Sequence, residues 1–182
     1  MSKILKSFGM AALLVALLAG TGMAADNAAM TITGDVQASV EVTVSPSSIN
    51  PWTLSVGTNT YTIGGTTATI TSNHGTGKDA NLKVAETGAG GSGNDMNDGN
   101  MYSSTASNGK LFNALVLKAT SGTTIIGDTT LSGSNQDIYK LAAAGTATVD
   151  FDYQQVIASG DEAANNYGIV VTFTGQIENE PT

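Results

Sequence analysis

The sequence predicts an all-β protein built as an antiparallel two-sheet β-sandwich of the immunoglobulin-like type. Apolar and polar residues alternate with a period of two in segments spread over residues 30–175. Turn-forming Gly, Asn, Asp and Ser residues separate these segments at short intervals. No 3.6-residue helical pattern is sustained beyond the first 24 residues. Short strands that are apolar on one face are buried when two sheets cover each other, which favours a sandwich of about seven to nine strands.

The first 24 residues have the three parts of a secretory signal peptide. Lys3 and Lys6 precede an apolar run over residues 10–18, and Gly22 and Ala24 occupy the small-residue positions of a cleavage site. The run is shorter than the roughly 20 apolar residues that span a bilayer. We therefore expect cleavage after Ala24 and a single β-sandwich domain over residues 25–182. Such a protein is secreted or held at the cell surface, and is not membrane-embedded.

The charge and cysteine content narrow the classes of partner. Seven basic residues, all of them lysines, face fifteen acidic ones, and the net charge is −8. A surface of this sign repels nucleic acid, so no nucleic-acid partner is predicted. The chain has no cysteine, so its stability must come from core packing and strand pairing rather than from disulfides.

The longest alternating segment runs from residue 30 to residue 44. Its odd positions are polar, and a strand would place all its apolar residues on one face, where a helix would scatter them. The segment therefore predicts a half-buried strand, or two strands joined near Gly34. The apolar positions are Met30, Ile32, Val36, Ala38, Val40, Val42 and Val44.

The remaining elements follow from the same alternation. A turn at Gly64 and Gly65 predicts a hairpin over residues 61–70, and Asn108 with Gly109 forms a second turn. Residues 159–166 are predicted to be a loop or a single helical turn. Residues 88–100, rich in Gly, Asn and Asp, have little to bury and predict a long flexible loop. Further strands are predicted over residues 52–56, 80–84, 115–117, 147–153 and 167–173.

Candidate catalytic groups are few. The only histidine, His74, follows a strand in a polar turn and is predicted to be exposed and without a catalytic role. Asp150 and Asp152 would face outward from one strand about 6 to 7 Å apart, a separation that glycosidase carboxylate pairs use. An exposed strand face produces that pattern routinely, so we expect no enzymatic activity. A secreted polysaccharide-active enzyme using these two residues remains the less favoured alternative.

No cofactor is predicted, with calcium as the one metal considered. One histidine and no cysteine cannot supply a zinc site. Asp95, Asn97 and Asp98 offer oxygen ligands of the kind that calcium takes, in the predicted loop. Their spacing departs from the EF-hand, because Gly99 and Asn100 fall where a fifth-position ligand and a sixth-position glycine belong.

Two stretches carry a family resemblance. Trp52, Thr53 and Leu54, together with the closing segment over residues 167–175, resemble the pattern of WxL-type surface domains. That family carries a second Trp-x-Leu in its last strand, where this chain has Phe173 and Gly175. The resemblance implies a secreted prokaryotic β-sandwich that associates with the cell wall, with Trp52 and Leu54 as interaction candidates and envelope components as partners.

The segment over residues 30–44 is also similar to the donor strands of pilin-like filament subunits. In those proteins an N-terminal strand freed by signal cleavage completes the sheet of a neighbouring copy. The resemblance implies self-assembly, with Val36, Val40, Val42 and Val44 as donor residues; the alternative is that this strand pairs within its own sheet. We therefore expect a structural or adhesive envelope protein, with a polymerising filament subunit as the second hypothesis.

Overall fold

A computed structural model describes residues 33–88, 98–120 and 127–179, apart from the side chains of residues 63–65 and 119. The chain divides into two compact units, Met1–Asp35 and Val36–Thr182. Only residues 33–35 of the first unit are described, and the predicted signal peptide lies outside the described residues. These residues contain no helix and form ten strands: β1 (Val40–Ser45), β2 (Gly57–Ser72), β3 (Lys78–Gly88), β4 (Asn100–Tyr102), β5 (Lys110–Ala114), β6 (Val116–Ala119), β7 (Thr129–Thr130), β8 (Gln136–Leu141), β9 (Gly145–Ile157) and β10 (Val170–Asn179).

The ten strands form three antiparallel sheets. Sheet A has the order β1-β2-β9-β6-β7, sheet B has the order β10-β3-β8, and sheet C consists of β4 and β5. The all-β prediction is confirmed, and the arrangement is consistent with a β-sandwich. Within the described ranges, no helix is long and apolar enough to cross a membrane.

Side chains from sheets A and B pack into one core. Phe151 of β9 stacks on Phe173 of β10, with ring centroids 5.2 Å apart, and meets Tyr153 edge to face at 5.6 Å. Aromatic pairs in these geometries add to the stability that burial of apolar surface supplies. The most deeply buried members of the core, each less than 2% exposed, are Ala68, Ile70, Ala80, Leu82, Val84, Leu117, Leu131, Ile138, Val149 and Phe151.

Two predicted strands match the structure closely. Residues 147–153 lie in β9, where Val149, Phe151 and Tyr153 are buried and the residues between them are more exposed. Residues 80–84 lie in β3, which extends to Gly88. In both strands the alternation of apolar and polar residues correctly predicts which face is buried, because each strand pairs with neighbouring strands along the whole predicted segment.

The predicted strand over residues 30–44 is wrong in its first part. The described residues 33–39 form no strand, and Val36 is 88% exposed. Pairing begins at Val40 because its partner Ser72 is the last residue of β2. Before Val40, the backbone is hydrogen-bonded to the Asn73 side chain: Ser39 N donates to Asn73 Oδ1 at 2.5 Å, and Asn73 Nδ2 donates to the Gln37 carbonyl at 3.1 Å.

The predicted hairpin over residues 61–70 is also wrong. β2 runs continuously from Gly57 to Ser72, and both of its halves pair with β9. The glycine pair lies where the register shifts between Tyr61 and Thr66, so it introduces an irregularity in one strand rather than a reversal of the chain.

Other boundaries move by a few residues. Residues 52–56 are not a strand, the last strand begins at Val170 rather than at residue 167, and β6 begins at Val116. Residues 159–166 form no helical turn, which confirms the loop. Of the predicted flexible loop, residues 89–97 lie outside the described ranges.

Candidate functional site

Two edge strands lie together on one side of the facing sheets. Among the described strands, β1 pairs only with β2, and β10 pairs only with β3. The two strands approach closely at Gly175: a Cβ built there would lie 2.5 Å from Val40 Cγ2 and 2.9 Å from Val42 Cγ2. We call this region, formed by Val40–Ser45 and Val170–Asn179, the β1/β10 side.

Apolar side chains on the β1/β10 side are incompletely buried. Val40, Val42 and Val44 of β1 are half-buried, whereas Ile70 and Ala68 on the neighbouring strand are fully buried. The inward residues of β10 share this partial exposure, namely Val171, Phe173 and Ile177. A strand edge with partly exposed apolar residues is the kind of surface to which a further strand adds.

The residues that lead into β1 leave the sheet. Residues 36–39 form no strand, although Gln37 and Ser39 are tied to Asn73 through their backbone. Val36 thus stands 88% exposed on a short segment anchored at the edge strand. Single exposed apolar side chains are common on protein surfaces, and Val56 and Phe112 are exposed in the same way, at 72% and 62%.

Three of the four predicted donor residues lie within the chain's own sheet and one lies outside it. Val40, Val42 and Val44 lie opposite Ser72, Ile70 and Ala68 in the chain's own sheet, which is the self-pairing alternative. Val36 alone among the four lies outside the sheet. Sequence alternation cannot make this division, because it does not reveal where the partner strand ends.

Asp98, the one calcium candidate within the described residues, has both carboxylate oxygens engaged. Tyr102 donates its hydroxyl to Oδ1 at 2.7 Å, and Lys110 forms an ion pair with Oδ2. Burial raises the pKa of Asp98, but Lys110, Tyr102 and the Asn100 amide stabilise the carboxylate more strongly and lower the pKa to about 2. These contacts connect the start of β4 to β5. Asp95 and Asn97 lie outside the described residues.

Asp150 and Asp152 lie on the outer face of sheet A, as predicted. The Thr67 hydroxyl donates to Asp150 Oδ1 at 2.6 Å, and Asp152 lies opposite Lys118 on β6. The two carboxylates therefore project from a sheet face and contact or face residues of the neighbouring strands. Such positions are typical of cross-strand polar pairs.

His74 is buried, being only 5% exposed, so its predicted exposure is wrong. It lies in the connection by which the chain leaves sheet A at Ser72 and enters sheet B at Lys78. Its Nδ1 lies 3.1 Å from Ser72 Oγ. The only sequence signal for this burial is the short loop between β2 and β3. A loop of few residues that joins two facing sheets stays close to both of them.

Trp52 and Leu54 are half-buried rather than fully exposed to solvent. Trp52 meets Tyr61 edge to face, with centroids 5.8 Å apart, and packs against the core. Its ring therefore covers an end of the core beside β2.

No protein-family model, curated protein or solved structure matches the chain.

Proposed function

We propose that the protein is a non-enzymatic structural component of a prokaryotic cell surface, secreted and folded as an immunoglobulin-like β-sandwich. The observation that supports this proposal is the use of charged residues to connect strands. Lys83, in the central strand of sheet B, contacts Asp137 of β8 at 3.0 Å and Glu178 of β10 at 2.8 Å. These contacts raise the pKa of Lys83 and join all three strands of the sheet.

Other lysines act in the same way. Lys140 of β8 pairs with the buried Asp79 of β3, and Lys118 of β6 pairs with Asp128 before β7. A carboxylate held between strands is positioned to brace the sheet, whereas a catalytic carboxylate needs a cleft that holds a substrate. In these ion pairs the carboxylates contact lysines of neighbouring strands, which supports a structural rather than a catalytic role for them.

Surface labelling of intact cells tests the proposal. Antibodies raised against the purified chain should label unbroken cells, and external protease should remove that label. Retention of the chain inside cells would refute surface placement. A hydrolytic rate on envelope polysaccharides that is lost in the Asp150→Asn and Asp152→Asn variants would refute the non-enzymatic role.

One observation favours a second, narrower function, that of a filament subunit assembled by strand addition. Val36 is almost fully exposed beside the β1/β10 side, where apolar residues are half-exposed and strands end the sheets. The N-terminal segment of one copy would add to this side of the next copy, with main-chain hydrogen bonds supplying affinity and alternate side chains supplying specificity.

Size-exclusion chromatography with light scattering tests strand addition. Burial of one valine side chain contributes about 1.5–3 kcal/mol, so Val36→Asp should weaken assembly by at least about tenfold. Val56→Asp is the matched control, since Val56 is also exposed, at 72%, but precedes β2 rather than β1. Equal mass distributions for the two variants at every concentration would contradict the proposal.

A further inference from the structure

β10 is the longest edge strand among the described strands of sheets A and B. It has ten residues, Val170–Asn179, and residues 171–179 pair with β3 without interruption. The other edge strands, β1, β7 and β8, have six, two and six residues. Within the described ranges, no backbone hydrogen bond joins β10 to any element other than β3. These residues therefore leave the N–H and C=O groups on the far side of β10 for another strand to bond.

β10 also lacks the features by which proteins block the edges of sheets. Charged side chains, proline, bulges and short length each discourage the addition of a further strand. β8 carries Asp137 and Lys140 within six residues, and β1 carries Glu41 and is followed at once by Pro46. β10 contains no proline and no lysine, its one charged residue is Glu178, and its register with β3 shifts only at its first residue. The edge of β10 therefore favours pairing with another strand.

The charge of Glu178 is already paired within the chain. Lys83 contacts Glu178 Oε1 at 2.8 Å, and the Asn81 amide donates to Glu178 Oε2 at 2.9 Å. Both partners belong to β3, which lies on the opposite side of β10 from its free edge. Two copies of β10 can therefore approach each other without bringing an unpaired charge into the contact.

β10 is complementary to a second copy of itself in one antiparallel register. Its odd positions face the core, where Val171, Phe173 and Ile177 are half-buried, and its even positions face outward. Residues directly opposite each other in an antiparallel pair lie on the same face, so odd positions must meet odd positions. The register centred on Thr174 places Val171 opposite Ile177, and it places Phe173 opposite Gly175. Branched side chains then meet each other, and the aromatic ring meets a residue without a side chain.

We propose that two copies of the chain form a two-fold symmetric dimer by antiparallel pairing of their β10 strands, centred on Thr174. The pairing joins the two three-stranded B sheets into one continuous sheet and covers the half-buried apolar residues at both edges. A contact that uses the same surface on both copies closes after two copies, whereas strand addition continues from copy to copy. The proposal does not rest on strand addition, because it uses no residue of the N-terminal segment.

Cysteine cross-linking tests the register, because the chain has no cysteine of its own. The two Thr174 residues face each other across the two-fold axis with Cα atoms about 4.5–5.5 Å apart, a separation that a disulfide spans. Thr174→Cys should therefore form a disulfide-linked dimer when oxidised glutathione is added. Thr172→Cys and Gln176→Cys are the matched controls: each lies about 14 Å from its own copy, but the two lie opposite each other. A mixture of these two variants should cross-link and neither alone should; no cross-link in Thr174→Cys, or equal cross-linking in Thr172→Cys alone, would overturn the proposal.

Size-exclusion chromatography with light scattering measures the dimer in solution. Thr174→Glu brings two like charges together on the axis and should weaken the dimer by at least about tenfold. Residue 174 lies opposite Lys83 of β3, so each folded copy accommodates the new carboxylate, and the unfolding midpoint checks this. Gln176→Glu is the matched control, because it adds the same charge to the same face of β10 but not opposite its own copy, and it should leave the dimer unchanged.

Three results would overturn the proposal. The first is a monomer at every concentration up to about 1 mM. The second is equal weakening of the dimer by Thr174→Glu and Gln176→Glu. The third is a dimer that Val36→Asp abolishes and Thr174→Glu does not, since that result would assign the contact to the N-terminal segment.

Discussion

Gly99 lies at a meeting point of three segments, and we expect Gly99→Ala to destabilise the fold strongly. Its φ is +81°, and a Cβ built on it would lie 1.9 Å from the Leu131 carbonyl oxygen. The Gly99 amide also donates to the buried Glu86 carboxylate, and its carbonyl accepts from the Leu115 amide at 2.8 Å. The backbone at this position cannot move away without disturbing both hydrogen bonds.

Two costs add up in this variant. A non-glycine residue held at positive φ costs about 1 kcal/mol. Overlap with a fixed backbone carbonyl adds about 1–3 kcal/mol, since the neighbour is not the flexible end of a side chain. We therefore expect a loss of about 2–4 kcal/mol in the free energy of unfolding, which corresponds to a fall of roughly 10 °C in Tm for a chain of this size.

Gly109→Ala provides the matched control. Gly109 has a similar φ of +70°, but a Cβ there meets nothing within 4 Å, so only the backbone cost of about 1 kcal/mol applies. Guanidinium unfolding followed by fluorescence of Trp52, the only tryptophan, measures both variants. If Gly99→Ala costs no more than Gly109→Ala, the steric argument is refuted.

Three other predictions follow from the packing and the charges. Gly175→Ala should cost about 1–3 kcal/mol and speed amide exchange in β1, because its Cβ would lie 2.5 Å from Val40; unchanged exchange would contradict this. The stability that Asp98 contributes through its lowered pKa is present above about pH 4 and is lost as pH falls toward about 2. This contribution is less than about 1 kcal/mol, since the Asp98 and Lys110 side chains are both about one-third exposed. If the Asp98→Asn variant lost as much stability in acid as the unchanged chain, Asp98 would not be the origin of that loss. Burial raises the pKa of Tyr153 to about 12, so its phenol should titrate near pH 12 by ultraviolet absorbance, and its contribution to stability should be lost as pH rises from about 10 to about 12. A titration step near pH 12 that persists in Tyr153→Phe would contradict the assignment.

The placement of the four donor-strand candidates could be predicted from the sequence only in part. The alternation over residues 30–44 underlay the donor-strand hypothesis, with pairing in the chain's own sheet as the alternative. It did not distinguish Val36 from Val40, because both occupy the same face of the pattern. The end of β2 at Ser72 makes that distinction, and Gly175 is what allows β10 to lie close to β1.

His74 shows why a buried residue was predicted to be exposed. Its neighbours in sequence are polar or glycine, which is typical of an exposed turn. It lies where two connections distant in sequence, from β2 to β3 and from β8 to β9, cross between the sheets at the same end. The sequence around His74 does not show that these two connections lie close together.

The sequence by itself determined the all-β class and the inward faces of β3 and β9, since alternation over neighbouring residues is a local property of a strand with one buried face. Tertiary structure decided where β1 begins, that β2 continues through Gly64 and Gly65, and that His74 is covered. Each of these depends on a partner strand or loop far away in the chain, because pairing and burial require a second surface that a single segment does not specify.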